Sequence, residues 1–211
     1  MRDFLDVYGA ELLTKMLEHL SISMTALVIG AIIAVPLGIV ASRNKKFSQI
    51  MIGVSSVLQT IPSLALLAIV VPFMGVGRTP AVFALVIYSL LPILRNTVIG
   101  MESVDKNTMD AAKGMGLTSF QQVFKVQLPL AMPVVFAGVR LSATYVLAWA
   151  TLAAYIGAGG MGDFIFSGLR NYNITLIVVG TLSITSMTLI IDYLFEKIEK
   201  KLSPKTTSEV A

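Results

Sequence analysis

Long windows without a charged residue constrain this chain more than any other feature. Residues 21–42, 47–77 and 171–191 contain no Asp, Glu, Lys or Arg. Two further windows, residues 79–100 and 126–162, each contain a single arginine. A helix that crosses the hydrocarbon core of a bilayer needs about 20 mainly apolar residues. Each window is therefore long enough to cross a membrane as a helix.

The windows predict an all-α integral membrane protein with five transmembrane helices. We place these spans at about residues 20–41, 50–72, 80–100, 131–153 and 174–195. The composition agrees, because 55% hydrophobic residues and a mean hydropathy of +0.82 are too apolar for a soluble domain of 211 residues. We expect one transmembrane domain at 20–200, preceded by an amphipathic outer segment at 1–19 and followed by a flexible cytoplasmic tail at 201–211.

The basic residues predict the orientation of these spans. Ten of them lie in three segments that would share one side of the membrane, and four lie on the other side. The ten are Arg43, Lys45, Lys46, Lys106, Lys113, Lys125, Lys197, Lys200, Lys201 and Lys205. Because Lys and Arg in short loops stay in the cytoplasm, the amino terminus should face out and the carboxyl terminus in. The net charge of +4 thus reflects topology and gives no reason to expect a nucleic-acid partner.

The sequence contains no recognisable catalytic or metal-binding set. There is no cysteine, so a disulfide framework and a thiolate metal site are excluded. The single histidine, His19, falls in the outer segment without a second histidine. Gly157, Gly159 and Gly162 have the spacing of a dinucleotide motif, but no strand precedes them, and the chain has no phosphate-binding Gly-Lys-Ser/Thr. We expect no enzyme activity and no cofactor or metal in this chain.

A polar segment at residues 103–127 interrupts the apolar spans and is predicted to form two short helices. Asn107, with Asp110 three residues on, suits the start of the first helix. That helix should end between Gly114 and Gly116, because glycine adopts positive φ readily. Ser119 and Gln122 have the spacing of a capping box, which predicts the second helix. Pro129 should discourage that helix from continuing unbroken.

The same segment resembles the cytoplasmic "EAA" loop of ABC-importer permeases. The resemblance rests on Asp110-Ala111-Ala112, then Gly116, then Val126-x-Leu128-Pro129 at the family's spacing, with Asp in place of the usual Glu and Val in place of the usual Ile. It implies a type I (MetI-like) permease fold whose loop docks as coupling helices in a cleft of the ATPase subunit. The residues that it assigns to ATPase coupling are Asp110, Ala111, Ala112, Gly114, Gly116, Leu128 and Pro129.

Polar residues and a proline fall inside the second predicted span. Gln59, Thr60, Pro62 and Ser63 are costly there unless they face protein or a water-filled cavity. Two interpretations remain open: a hydrogen-bonded helix contact, or the lining of a solute path. We expect Thr60, Ser63 or water to satisfy the carbonyl that Pro62 leaves free. The run from Leu58 to Ala65 resembles the matching helix of permeases for quaternary-ammonium osmolytes, which favours the path.

Two arginines lie within predicted spans. Arg95 is close enough to the inner end of span three to extend its guanidinium to the interface. Arg140 is deeper in span four, so it should be paired or face a cavity, and Asp192 in span five is a possible partner.

Aromatic residues cluster in the outer half of span four. Tyr145, Trp149 and Tyr155 could hold a quaternary ammonium by cation–π attraction, but such residues are also typical of a membrane interface, which we favour. We keep Tyr145 and Trp149, with Arg140, as possible path residues beside the polar cluster of span two.

A stripe of small residues marks one face of the first span. Ala26, Gly30, Ala34 and Gly38 recur at intervals of four, which lets another helix approach closely. We expect packing against a neighbouring helix of the same chain rather than a subunit interface.

A glycine-rich stretch, residues 154–166, lies between spans four and five. It contains Tyr155, Gly157, Gly159, Gly160, Gly162 and Asp163. The stretch closely resembles the outer loop of glycine betaine/carnitine/choline ABC permeases, and the resemblance implies that these residues face the solute-binding protein. A simple outer cap on the helix bundle is the alternative.

Taken together, the chain is expected to be a plasma- or inner-membrane permease subunit of an ATP-driven importer for a compatible solute. The resemblance implies a second permease copy (identical or merely similar), two ATP-binding subunits that hold ATP and magnesium, and an extracellular solute-binding protein. The alternatives are an ABC permease for another small solute, such as an amino acid, and an ion-coupled secondary transporter. A membrane enzyme is disfavoured by the missing acid, base and metal groups.

Overall fold

The computed structural model describes residues 2–202, with side chains from Tyr8 onward, and the regular secondary structure of this part of the chain is entirely helical. Most of the tail predicted at 201–211 lies outside the described residues. In chain order the α-helices are α1 (Arg2–Ala41), α2 (Lys45–Thr60), α3 (Ser63–Met74), α4 (Arg78–Glu102), α5 (Lys106–Gly114), α6 (Ser119–Gln122), α7 (Leu128–Trp149), α8 (Gly162–Arg170) and α9 (Ile174–Leu202). A π-helical turn, Val123–Gln127, joins α6 to α7, and a 3₁₀ helix, Ala150–Ile156, follows α7.

Within residues 2–202, four continuous helical segments are long and apolar enough to cross a membrane. They are Tyr8–Ala41, Arg78–Glu102, Ser119–Ile156 and Ile174–Leu202. The first of them runs without a break through residue 19, so the segment predicted at 1–19 continues directly into the first predicted span. Pro36 also lies inside this helix.

The span predicted at 50–72 is a bent pair of helices rather than one helix. The axes of α2 and α3 differ by 93°. Pro62 causes the break because it lacks an N–H and disfavours the helical conformation at the residue before it. Ile61 is accordingly extended, at φ −64° and ψ 127°.

The small-residue face of α1 packs against α4, which confirms the predicted packing within the chain. Ala26 and Ala34 are fully buried. A β-carbon at Gly38 would lie 2.6 Å from Cβ of Thr97, and one at Gly30 would overlap Ser89. Only glycine at these two positions allows the helix backbones to approach this closely.

The centre of the fold is α4, the most buried of the long helices. It lies between α1 on one side and α7 on the other. On the α7 side a β-carbon at Gly138 would lie 2.9 Å from the Pro92 carbonyl oxygen. The Ser142 hydroxyl donates a hydrogen bond to the Ser89 carbonyl across the same contact (3.1 Å).

His19 belongs to the core and not to an exposed outer segment. Its side chain is fully buried, and Nε2 lies 2.9 Å from the Leu147 carbonyl oxygen on α7. The sequence analysis placed His19 in the outer segment and assigned it no packing role, whereas in the structure it packs α1 against α7.

Candidate functional site: coupling loop, cleft and outer loop

The loop between α4 and α7 contains the two short helices that the sequence predicts, with shifted starts. The first, α5, is capped by Asp105, whose Oδ2 accepts a hydrogen bond from the Thr108 N–H (3.1 Å). The predicted start at Asn107 with Asp110 was wrong because Asp105, two residues earlier, already satisfies an amide of the first turn.

Helix α5 ends at Gly114, two residues before Gly116. Gly116 has φ +80°. Its N–H donates to the Lys113 carbonyl (2.9 Å), and the Leu117 N–H donates to the Ala112 carbonyl (3.3 Å). This pair of bonds is a Schellman motif, which closes a helix through a residue of positive φ. The predicted end between Gly114 and Gly116 is confirmed.

The second helix begins one residue earlier than predicted. Thr118 and Gln121 form the capping box: the Thr118 N–H donates to Gln121 Oε1 (2.9 Å), and the Gln121 N–H donates to Thr118 Oγ1 (3.4 Å). The predicted pair Ser119 and Gln122 was wrong since Thr118 has the extended backbone that an N-cap requires.

Pro129 does not interrupt the second helix. The helix widens into the π-helical turn, where the Leu128 N–H donates to the Val123 carbonyl. Pro129 then occupies the first turn of α7, where a missing N–H costs little. The expected break is therefore wrong, and α6, the π-helical turn and α7 form one continuous helical segment.

Most of the predicted coupling residues lie on the surface of this loop. Asp110, Ala111, Gly114 and Gly116 are exposed, whereas Ala112 is buried. Leu128 is partly buried and packs on the cluster around Met101 and Val123, and Pro129 is exposed.

Three large apolar side chains, which the sequence reasoning missed, project from the same loop. Met115 is 73% exposed and Phe120 is 70% exposed. The Phe120 ring contacts the half-exposed ring of Phe124, with centroids 4.4 Å apart. The sequence could have indicated these residues, because large apolar side chains in a polar segment seldom remain in water without a binding partner. We name Met115, Phe120 and Phe124 the apolar loop face.

Arg140 pairs with acids on α9, as predicted for Asp192. Its Nε lies 2.7 Å from Asp192 Oδ1, and its Nη2 lies 2.8 Å from Oδ2. Glu196 and Glu199 also accept from the same guanidinium, at 3.3 and 3.2 Å. The sequence reasoning missed both glutamates. Their spacing from Asp192, four and seven residues, places them on one helix face. Arg140 therefore joins α7 to α9 and does not line the cleft described next.

The polar cluster of α2 and α3 lines an open cleft of about 220 Å³. Its lining comprises Gln59, Thr60, Ile61, Pro62, Ser63, Tyr88 and Trp149. Tyr145 is not part of the lining but contacts Trp149, with ring centroids 5.5 Å apart. Of the seven predicted path residues, the structure thus brings together Gln59, Thr60, Pro62, Ser63 and Trp149.

The hydrogen bonds of the polar cluster agree with a helix contact, and the solute path stays a prediction. The Tyr88 hydroxyl donates to the Ile61 carbonyl (2.6 Å), which is a helix–helix hydrogen bond. The Thr60 hydroxyl donates to the Val57 carbonyl, and the Ile61 N–H donates to the Leu58 carbonyl that Pro62 leaves without its usual donor. The Leu58 carbonyl thus accepts from the Ile61 N–H and not from the Thr60 or Ser63 side chain, contrary to the expectation for these two residues. Tyr88 was missed because nothing in the sequence links it to residues 27 positions away.

The glycine-rich loop after α7 is a tight turn fixed to α1. Gly157, Gly159 and Gly160 all have positive φ, between 72° and 84°. The Gly160 N–H donates to Glu18 Oε2 (3.0 Å). Lys15 Nζ forms ion pairs with Asp163 (2.7 Å) and Glu18 (3.0 Å).

Two neighbours of this turn differ in exposure. Gly162 is buried against the Thr151 backbone, so no larger residue fits there. Tyr155 is 64% exposed and contacts Phe166 edge-on. This loop therefore combines an exposed aromatic ring with a backbone that α1 holds rigid.

The fold is shared with a solved structure. A chain of the structure entitled "Inward facing conformations of the MetNI methionine ABC transporter" aligns with a TM-score of 0.83, covering 92% of this chain and 96% of that one at 21% identity. At that identity the likeness shows the fold alone. The two chains therefore share one fold over nearly their whole length.

Residues 26–206 match the family of binding-protein-dependent transport system inner membrane components, and this chain belongs to that family. It is 50% identical over 206 residues to the carnitine transport permease protein OpuCB of Listeria monocytogenes, covering 98% of this chain and 94% of the relative. It is 48% identical over 205 residues to the glycine betaine/carnitine/choline transport system permease protein OpuCB of Bacillus subtilis (strain 168), covering 97% and 94%. The resemblance drawn from the loop motifs is confirmed, and the protein is a transport component of the inner membrane.

Proposed function

We propose that this chain is the permease subunit of an ATP-driven importer for quaternary-ammonium compatible solutes of the glycine betaine, carnitine and choline type. The observation that carries the proposal is the near-full-length similarity to permeases named for these solutes, at 50% and 48% identity. The coupling loop supports an ATP-driven mechanism, because an ion-coupled transporter needs no docking element for a nucleotide-hydrolysing subunit.

In this proposal the chain crosses the membrane five times, with the bent pair α2–α3 counting as one span. The amino terminus faces out and the carboxyl terminus faces in. The ten basic residues on the loop side support this orientation. The exposed apolar side chains on the long helices, such as Ile32, Leu182 and Leu189, then face lipid or a second permease subunit.

The coupling loop transmits movement from the ATPase subunits to the permease. Asp110, Ala111 and Gly116 present a surface of small and polar groups, beside the apolar loop face, that a cleft of the partner receives. The Gln127 side chain donates to the Met101 carbonyl (2.8 Å) and holds the loop against the end of α4. Because α6 continues into α7, displacement of the docked loop also displaces α7, and rocking of two permease halves alternates access to a central path.

The remaining partners follow from the same proposal. ATP and magnesium bind to two ATP-binding subunits, and this chain performs no chemistry of its own. A second permease copy, identical or similar, completes the pathway. The outer loop, with Tyr155 exposed and Gly157–Asp163 held rigid by α1, faces the solute-binding protein.

Uptake by reconstituted vesicles tests the proposal. The permease, its ATPase subunits and the binding protein are reconstituted in proteoliposomes with radiolabelled glycine betaine. We expect uptake that requires ATP on the loop side, the ATPase subunits and the binding protein. Uptake driven by a sodium or proton gradient alone would contradict the proposal in favour of a secondary transporter. ATP-driven uptake of an amino acid, with none of a quaternary ammonium, would contradict the solute class.

A further inference from the structure

The cleft at the α2–α3 break has the chemistry of a binding site as well as that of a path. Its wall is formed by the break residues 59–63 on one side and by Tyr88 and Trp149 on the other. Thr60 and Pro62 are exposed, so the cleft opens at the surface of the molecule. Among the described residues that line it, none carries a charged side chain. The cleft volume, about 220 Å³, exceeds that of a trimethylammonium group.

Aromatic rings form the apolar wall of the cleft. Trp149 is partly exposed and contacts Tyr88, with ring centroids 4.6 Å apart. Tyr88 is 3% exposed and is held by its hydrogen bond to the Ile61 carbonyl. Tyr88 therefore supports the indole, and the indole of Trp149 is the ring that a ligand can reach. Trp is the side chain that attracts a cation most strongly through its ring.

The opposite wall includes Gln59 and Thr60, the last residues of α2. The last carbonyls of an α-helix lack intrahelical donors and carry the negative end of the helix dipole. Within the described chain, the carbonyls of Gln59 and Thr60 accept no hydrogen bond. The end of α2 thus gives the cleft partial negative charge without an anionic side chain. A permanently charged ammonium without N–H donors, which needs ring faces and diffuse negative charge rather than a carboxylate, suits these two walls.

We propose that this cleft binds the quaternary ammonium group of the transported solute, with Trp149 as the contact residue and Tyr88 as a positioning residue. The proposal rests on the function proposed above and adds a solute site within the membrane component itself. The proposal gives Tyr88 and Trp149 a role in selecting a positively charged ligand. Aromatic residues that merely lie at the membrane interface would not show this selectivity.

Ligand binding to the permease–ATPase complex, without the binding protein and without ATP, tests the site directly. The complex is placed in nanodiscs of phosphatidylethanolamine and phosphatidylglycerol, so that no lipid carries a quaternary ammonium. Radiolabelled choline should bind saturably. Its uncharged isostere 3,3-dimethylbutan-1-ol should compete at least about tenfold more weakly, since cation–π attraction requires the charge. Equal competition by the isostere would overturn the proposal.

Variants locate the binding to the cleft. Trp149→Leu should weaken choline binding about tenfold and abolish the preference over the isostere. Tyr88→Phe keeps the supporting ring but frees the Ile61 carbonyl, and should change affinity by only a few fold. Phe83→Leu is the matched control, because Phe83 is a half-exposed aromatic residue of α4 outside the cleft. Wild-type binding and charge preference in Trp149→Leu would overturn the proposal.

Two further outcomes separate this proposal from the one on which it rests. If ATP-driven uptake of glycine betaine is intact but the complex alone binds no choline, the cleft proposal fails and the importer proposal stands. If choline binding disappears in nanodiscs that contain phosphatidylcholine, the cleft accommodates lipid headgroups, and the solute site is overturned. Unchanged choline binding in nanodiscs that contain phosphatidylcholine supports a site for the solute.

Discussion

Arg140 on α7 and Asp192 on α9 form a two-point ion pair, with Nε–Oδ1 and Nη2–Oδ2 distances of 2.7 and 2.8 Å. Glu196 and Glu199, on the same face of α9, approach the same guanidinium. One arginine therefore serves three carboxylates, and its removal leaves all three facing α7 without their shared cation.

This asymmetry predicts unequal costs for the two partners. Arg140→Met should destabilise the protein by roughly 2 kcal/mol, because Asp192 and Glu199 lose the guanidinium, whereas Glu196 keeps its ion pair with Lys200. Asp192→Asn should cost less, because Glu196 and Glu199 retain the arginine. Thermal unfolding of the purified complex measures both changes.

The control for this pair is Arg95→Met, which removes an exposed arginine of α4. It should leave the unfolding temperature almost unchanged. A larger loss for Asp192→Asn than for Arg140→Met would contradict the shared-cation arrangement.

The sequence was sufficient to pair Arg140 with Asp192 but not to find the two glutamates. A charge deep in a predicted span needs a partner, and Asp192 was the one acid within the last two predicted spans. Glu196 and Glu199 lie beyond the predicted end of span five at residue 195. The observed α9 continues to Leu202, so the same helix face presents all three acids.

Gly116 and Gly114 predict opposite responses to a side chain. Nothing lies within 4 Å of a β-carbon at either glycine, so both sites have room for a side chain. They differ in backbone conformation, because Gly116 has φ +80° and Gly114 is helical. Gly114→Ala should therefore be tolerated. Gly116→Val should strain the end of α5 by about 1 kcal/mol or more and lower uptake per ATP hydrolysed, with normal membrane insertion. Uptake and ATPase rates in proteoliposomes test this, and unchanged coupling in Gly116→Val would refute the role of this turn.

The apolar loop face predicts a contribution to ATPase assembly. Phe120→Ala should weaken association with the ATPase subunit by roughly tenfold or more, because a large exposed ring loses its buried contact. Phe73→Ala, which removes an even more exposed ring on α3, should not change association. Pull-down titration of the solubilised subunits gives the comparison, and equal affinities for Phe120→Ala and wild type would show that this face is not the docking surface.

The absence of cysteine allows the orientation to be tested with single reporters. Lys113 in α5 and Tyr172 before α9 are both exposed, so a thiol at either position should react freely. In intact cells a membrane-impermeant maleimide should label Tyr172→Cys. It should label Lys113→Cys only after the membrane is opened. Labelling of Lys113→Cys from outside would reverse the proposed topology and place the coupling loop beyond the reach of an intracellular ATPase.

Glycines in two helices predict opposite effects on stability. Gly38→Ala would place a β-carbon 2.6 Å from Thr97 Cβ and force α1 away from α4. Gly53→Ala in α2 meets nothing within 4 Å and should stabilise the helix by about 1 kcal/mol. Unfolding temperatures should therefore move in opposite directions, and a neutral Gly38→Ala would contradict the close packing.

Features of the fold that depend on a single residue were predicted better than features that depend on contacts between distant residues. Gly116 marked the end of α5 because its conformational preference is a property of one residue. The 93° break at Pro62 was not predicted within the span at 50–72, and the bend also involves Tyr88, whose hydroxyl donates to the Ile61 carbonyl from another helix. The helix starts were misplaced by one or two residues because Asp105 and Asn107, or Thr118 and Ser119, are similar caps, and the backbone chooses between them.

The π-helical turn at Val123–Gln127 makes the connection between loop and span adjustable as well as continuous. A π-helical turn contains more residues than an α-helical turn, so its relaxation to α-helix would shift the register between α6 and α7 by one residue. Such a shift corresponds to a rotation of about 100° and a rise of about 1.5 Å. Under the proposed coupling mechanism, a push on the docked loop along the helix axis would then rotate α7.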